Sequence, residues 1–221
     1  MSPRKSLLLI AILALMPAVV FGASAADLLL KAAVADRHVS YRGVKTAVVY
    51  MSGKPDACSL KIIHLLPDKT RTEYFSPAPL AGVIVIENGP MLWRYCPCRR
   101  EWEEGRSSNA RSPELIHQEA MRNFEIHMLG KDTVAGRPTY VIHAVPRGRN
   151  ESARRIWVDE DCYLVMRTQV EDPRGVVLNS SRYSSIEINP RHISPSLFKV
   201  NGRIKNASAP ASCPFKLVRP T

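Results

Sequence analysis

Apolar residues fill almost every position from Ser6 to Phe21, behind Arg4 and Lys5 and ahead of Ala23-Ser24-Ala25. A positive region, an apolar run and small residues before a cut are the parts of a secretory signal. Residues 1–25 are therefore expected to be removed between Ala25 and Ala26. The run is shorter than a bilayer span of about 20 residues, and Pro17 interrupts it, which argues against an uncleaved anchor. No cysteine follows the run to carry a lipid, and no second hydrophobic run follows it.

From Ala26 to Val39 the pattern turns helical. Leu28, Leu29, Ala32, Ala33 and Ala35 give an apolar side with no glycine or proline. Strand patterns then take over at Tyr41 to Met51, Cys58 to Leu66 and Thr70 to Ser76, separated by Ser-Gly-Lys-Pro and Pro-Asp-Lys turns. Gly82 to Glu87 and Met91 to Tyr95 flank Asn88-Gly89, a hairpin signal because both residues tolerate positive φ. A second helix opens at Ser112, with Pro113 in its first turn and Glu114 opposing the dipole. Ile116, Ala120, Met121 and Phe124 fall on its apolar side, which must bury against something, most simply a sheet.

The second half reads as a meander. Its strands are Arg137 to Val145, Arg154 to Asp159, Leu164 to Glu171 and Val176 to Ile188, joined by short turns. Leu164, Met166, Thr168 and Val170 alternate with Val165, Arg167, Gln169 and Glu171, giving one apolar and one mostly wet face. Ser194 to Phe198 reads as a closing turn, and residues 200–221 as an irregular tail. The organisation is one α+β domain over residues 26–199.

Charge and cysteine content narrow the function. The chain of 221 residues carries +11, and subtracting Arg4 and Lys5 leaves +9 after export. A basic exported protein points to anionic partners such as lipid headgroups rather than nucleic acid. Arg147, Arg149, Arg154 and Arg155 form the densest basic cluster, suited to an anionic partner or membrane surface. Cys58, Cys96, Cys98, Cys162 and Cys213 remain in the mature chain; some should pair in an oxidising compartment, and five leaves one over. Cys96-Pro97-Cys98 beside Arg99 and Arg100 reads two ways. It is a redox or soft-metal pair, or two staples to distant cysteines, and export favours the staples. Scattered histidines, the absence of a Gly-x-Ser-x-Gly elbow and the absence of a phosphate-cradling loop give no enzyme, no cofactor and no metal site.

Several short motifs carry a family resemblance. They are Tyr41-Arg42-Gly43, Tyr140-Val141-Ile142-His143, Arg155-Ile156-Trp157-Val158-Asp159 and Leu164-Val165-Met166-Arg167. They end with Ile186-Glu187-Ile188-Asn189-Pro190 and Ser196-Leu197-Phe198. This succession resembles the lipoprotein carriers LolA and LolB and, more specifically, the amino-terminal domain of the RseB/MucB regulators of envelope-stress sigma factors. Those regulators carry a second, smaller domain after this one, whereas here a short segment follows Phe198. The resemblance implies a curved, half-open antiparallel sheet with helices across its concave face. The space between would hold a lipid or lipoprotein acyl chain, at about 0.8 kcal/mol per buried methylene, or a periplasmic peptide such as an anti-sigma factor.

On that frame Met91, Trp93 and Tyr95, which share one parity, are expected to face the concavity. Leu164, Met166 and Val170 are expected to join them, with Ile116 and Phe124 from the second helix. Three functions remain open: an exported carrier or envelope-stress sensor, a thiol redox or metal protein built on Cys96 and Cys98, and a structural envelope protein without a small ligand.

Overall fold

A computed structural model describes residues 24–51, 54–107, 112–148 and 150–206. Residues 1–23 of the expected signal segment, Arg149 and Cys213 lie outside the described residues. Among those described, two helices, α1 (Ala25–Val34) and α2 (Pro113–Asn123), accompany twelve strands. The first six strands are β1 (Tyr41–Met51), β2 (Lys54–Leu65), β3 (Lys69–Ser76), β4 (Ile84–Asn88), β5 (Met91–Cys96) and β6 (Glu101–Arg106). After α2 come β7 (Phe124–Val134), β8 (Arg137–Pro146), β9 (Ala153–Asp159), β10 (Val165–Glu171), β11 (Val177–Ile188) and β12 (Ile204–Asn206). All lie in one open sheet of order β12-β6-β5-β4-β3-β2-β1-β11-β10-β9-β8-β7. Every pairing is antiparallel except β12 with β6. The α+β class, the half-open sheet and the meander expected from the sequence hold. No helix among the described residues is long and apolar enough to cross a membrane.

Helix α1 begins where its cap dictates. Ser24 Oγ accepts from the Asp27 amide at 3.1 Å, and Asp27 accepts from the Ser24 amide at 3.3 Å, a reciprocal capping box. The expected signal cut after Ala25 falls inside this first turn. Leu28, fully buried, anchors α1 against Ile142 and Val158 of the meander. Gly43 explains the Tyr-x-Gly opening of β1. A Cβ there would stand 2.5 Å from the Ser185 carbonyl oxygen of β11, closer than any side chain can sit. That contact joins the two halves of the sheet through β1 and β11, whose register shifts between Val44 and Lys45. β11 also touches β7 although β10, β9 and β8 lie between them, so this half of the sheet curls.

Three departures from the sequence reading have physical causes. Helix α2 stops at Asn123, and Phe124 begins β7, because residues 124–134 pair along the whole length of β8. Glu101 to Arg106, not among the strands placed from the sequence, form β6 opposite β5, with Trp102 buried in a second core. Ile204–Asn206, expected to be irregular, adds the parallel strand β12 to the β6 edge, and the Trp102 amide and indole donate to the Arg203 and Asn201 carbonyls.

Candidate functional site

A cavity of about 370 Å³ lies between α1 and the sheet, within the range of small-ligand sites. Its apolar wall is Ile62, Ile156, Leu164, Val165 and Val170. Strand register explains the wall. Ile156 stands opposite Thr168, and Val170 opposite Arg154, so alternate residues of β9 and β10 face the same side. Ala32 and Asp36 close the cavity from α1 and the short turn after it.

The polar part of the lining is concentrated around Lys45. Its ammonium sits 5.3 Å from the centre of the Tyr183 ring. Tyr41, buried, donates its hydroxyl to Asp36 Oδ1 at 3.0 Å and lies edge-on to Tyr183. Burial pulls the Lys45 ammonium down to about 8, against the attraction of Asp36. Burial likewise pushes both phenols up, helped by the negative charge of Asp36. No salt bridge to Lys45 occurs among the described residues. The cavity thus offers an apolar wall and an enclosed cation, complementary to an apolar ligand with an anionic end. Beside it, His64 stacks on Tyr41 and bonds Asp36 O at 2.7 Å and Thr70 Oγ1 at 2.9 Å. With a carbonyl at Nε2, that nitrogen donates, and His64 serves as a structural pin for the turn after α1.

The structure sorts the expected pocket residues into four places. Leu164 and Val170 line the cavity. Met166 has no accessible surface and packs in the core. Met91, Trp93 and Tyr95 do share a parity, but it is the opposite one, with Trp93 paired to Ile86 and Tyr95 to Ile84. Trp93 and Tyr95 pack with Ile63, Trp102 and Phe198 under the carboxy-terminal segment. Trp93 and Tyr95 are not in the lining of the cavity; the face they share with Ile86 and Ile84 is the one the carboxy-terminal segment covers. Ile116 is 43% exposed on α2, and Phe124 is half-buried beneath the Arg154 guanidinium.

The basic cluster is also divided. Arg154 lines the cavity, while its strand neighbour Arg155 turns the other way to Glu171 at 3.3 Å, and Arg147 pairs with Glu125 at 3.0 Å. Cys58, Cys96, Cys98 and Cys162 are thiols, with no disulfide among the described residues. The long-range staples expected for Cys96 and Cys98 are absent there because the β5–β6 turn brings these two sulfurs to each other, 2.7 Å apart. The residues missed from the sequence are Lys45, Tyr41, Asp36 and Tyr183. One signal was available for them: Lys45 interrupts the same-parity series Tyr41, Gly43, Ala47.

Comparison with solved structures gives MucB in complex with MucA from Pseudomonas aeruginosa at 18% identity and a TM-score of 0.62, over 81% of this chain and 62% of that one. The chain therefore spans under two thirds of that MucB. An uncharacterised conserved protein from Thermus thermophilus matches at 10% identity and a TM-score of 0.59, over 83% and 99% of the two chains. These likenesses concern the fold. No curated protein matches. The family model for the MucB/RseB N-terminal domain matches residues 24–212. With that match over most of its length, and with the sheet and helices described above, this chain belongs to the MucB/RseB N-terminal domain family.

Proposed function

We propose that this chain is an exported, periplasmic binding domain without catalytic activity, which holds the acyl chain of a lipid or lipoprotein between α1 and the sheet. The cavity carries this reading: a wall of Ile62, Ile156, Leu164 and Val170 with Lys45 enclosed beside it. Acyl burial is favourable on the wall, and Lys45 recovers its lost hydration by pairing with a carboxylate or phosphate at the ligand's end. The test is native mass spectrometry of the mature protein purified from the envelope without detergent. A co-purifying mass that matches a lipid is expected and should vanish in Lys45→Met or Ile156→Asp. A protein that stays empty after incubation with fatty acid, lysophospholipid or lipopeptide would overturn the reading.

A partner-peptide reading has separate support. MucB has been solved in complex with MucA(peri), and here Leu115 and Ile116 of α2 and Met128 and Leu129 of the edge strand β7 are exposed. Such a surface suits an extended periplasmic peptide that adds to β7, as an anti-sigma factor would in envelope-stress regulation. Cross-linking from position 129 to a co-expressed periplasmic peptide distinguishes this reading from lipid binding.

A further inference from the structure

We propose that Cys96 and Cys98 form a reversible dithiol–disulfide couple, a thiol-exchange site in the β5–β6 turn that is independent of the cavity. The turn Pro97-Cys98-Arg99-Arg100 is closed by the Arg99 and Arg100 amides, which both donate to the Cys96 carbonyl, at 3.2 and 2.9 Å. Arg100 takes φ +53° to make the return into β6. This geometry folds Cys98 back over Cys96 and puts the two sulfurs in contact. The sulfurs differ in access: Cys96 is 3% exposed, whereas Cys98 is exposed to solvent. The Arg99 side chain hydrogen-bonds Cys96 and also pairs with Glu103, so a cation is fixed at the buried sulfur.

The remaining cysteines supply a contrast. Burial works against a thiolate at Cys96, but hydrogen bonds from Cys98 and from the side chain and backbone of Arg99 outweigh it and lower its pKa. Burial raises Cys58, and raises Cys162 to about 11. Among the described cysteines Cys58, Cys96 and Cys162, the thiolate is thus favoured at Cys96 in the turn. A metal site is less well served, because no group of three metal-ligating side chains occurs among the described residues.

The exchange balances as follows. The solvent-exposed Cys98 gives up its proton to solvent and attacks one sulfur of an external disulfide, glutathione disulfide or a protein disulfide. A mixed disulfide forms and the external S–S bond breaks, releasing the first thiolate. Cys96 then attacks the Cys98 sulfur, closes the Cys96–Cys98 bond and expels the second thiolate. The protein pair loses two electrons and two protons; the external disulfide gains the electrons, and the released thiolates take up protons from solvent.

The full mature protein would be equilibrated in a series of glutathione to glutathione-disulfide ratios, quenched with acid, alkylated and digested with trypsin. Peptide 95–99 is expected to pass from carrying two alkyl groups to carrying none, two hydrogens lighter, within that series and reversibly. In Cys96→Ser the mixed disulfide should accumulate on Cys98. Cys98→Ser should react with glutathione disulfide about tenfold more slowly than Cys96→Ser, because Cys96 is buried. Two alkyl groups at every ratio, linkage of either cysteine to Cys58, Cys162 or Cys213, or a bound metal ion that blocks alkylation would each overturn the proposal. Equal rates in the two variants would do the same. Because lipid binding is read separately, failure here leaves the cavity reading intact.

Discussion

Asp159 ends the Trp-Val-Asp motif of β9 with no accessible surface. Arg137 Nε and Nη2 donate to it at 2.5 and 2.9 Å, and the Asp161 and Cys162 amides donate at 3.0 Å each. Burial opposes its charge, but these donors outweigh burial and hold the carboxyl below the usual range. Asp159→Ala should destabilise the domain by about 3 kcal/mol in urea unfolding. That is the lower end for a broken buried pair, because Asp161 stays within 3.1 Å of Arg137. A depressed carboxylate contributes stability above its unfolded pKa and loses it as pH falls through the folded value. Wild type should therefore lose stability on acidification more steeply than the variant. Lys45 gives a slope of the same sign in a higher pH window, because there burial disfavours the charged form. Its pKa drops from the ordinary lysine value of 10.5 to about 8 on folding. Between these values the unfolded chain binds more protons, so stability rises with pH. The raised Tyr41 and Tyr183 phenols reverse the slope above about 10, where unfolded tyrosine ionises. Lys45→Met should flatten the rise between about pH 8 and 10, as read from urea midpoints at fixed ionic strength.

At the level of elements, legibility followed the number of buried faces. The meander was readable where burial alternates, as in β11, with Ser181 and Tyr183 buried between exposed Arg182 and Ser184; β10 exposes neither face, and Glu171, expected to be wet, is buried. β7 was not readable: most of its residues are exposed, and its start completes the apolar stripe of α2 with Phe124. β5 was readable as a strand but not in orientation, since the carboxy-terminal segment covers a face expected to be concave. That segment is itself an element of the fold. Phe198 and Leu197 pack over Trp93, Tyr95 and Trp102, and the Leu197 carbonyl accepts from Arg71 at 2.9 Å. Phe198→Ala should cost about 3–5 kcal/mol as a buried aromatic truncation. It should also shift tryptophan emission to longer wavelength as Trp93 and Trp102 become wet. Unchanged emission would mean that the indoles are covered without it.

For the molecule as a whole, the surplus of positive charge and the enclosed cation make different predictions about the same anionic lipid. The +9 expected on the mature chain produces a diffuse attraction to anionic vesicles, screened within about 10 Å at 0.1 M salt. An acyl ligand inside the cavity is instead held by burial and by a local pair with Lys45, and salt weakens that much less. Ligand that binds only the folded state raises stability by about 2.7 kcal/mol at a hundred times its dissociation constant. For a domain of this size, that is a rise in Tm of about 5–11 °C. The fatty-acid-induced rise should persist at about 0.5 M salt, where diffuse attraction is screened, and disappear in Lys45→Met or Ile156→Asp. Vesicle adsorption should instead vanish in salt and survive both substitutions. A rise that salt abolishes and the cavity substitutions leave unchanged would place the lipid on the basic surface. In that case the space beside Lys45 would be a feature of the curled sheet rather than a ligand site.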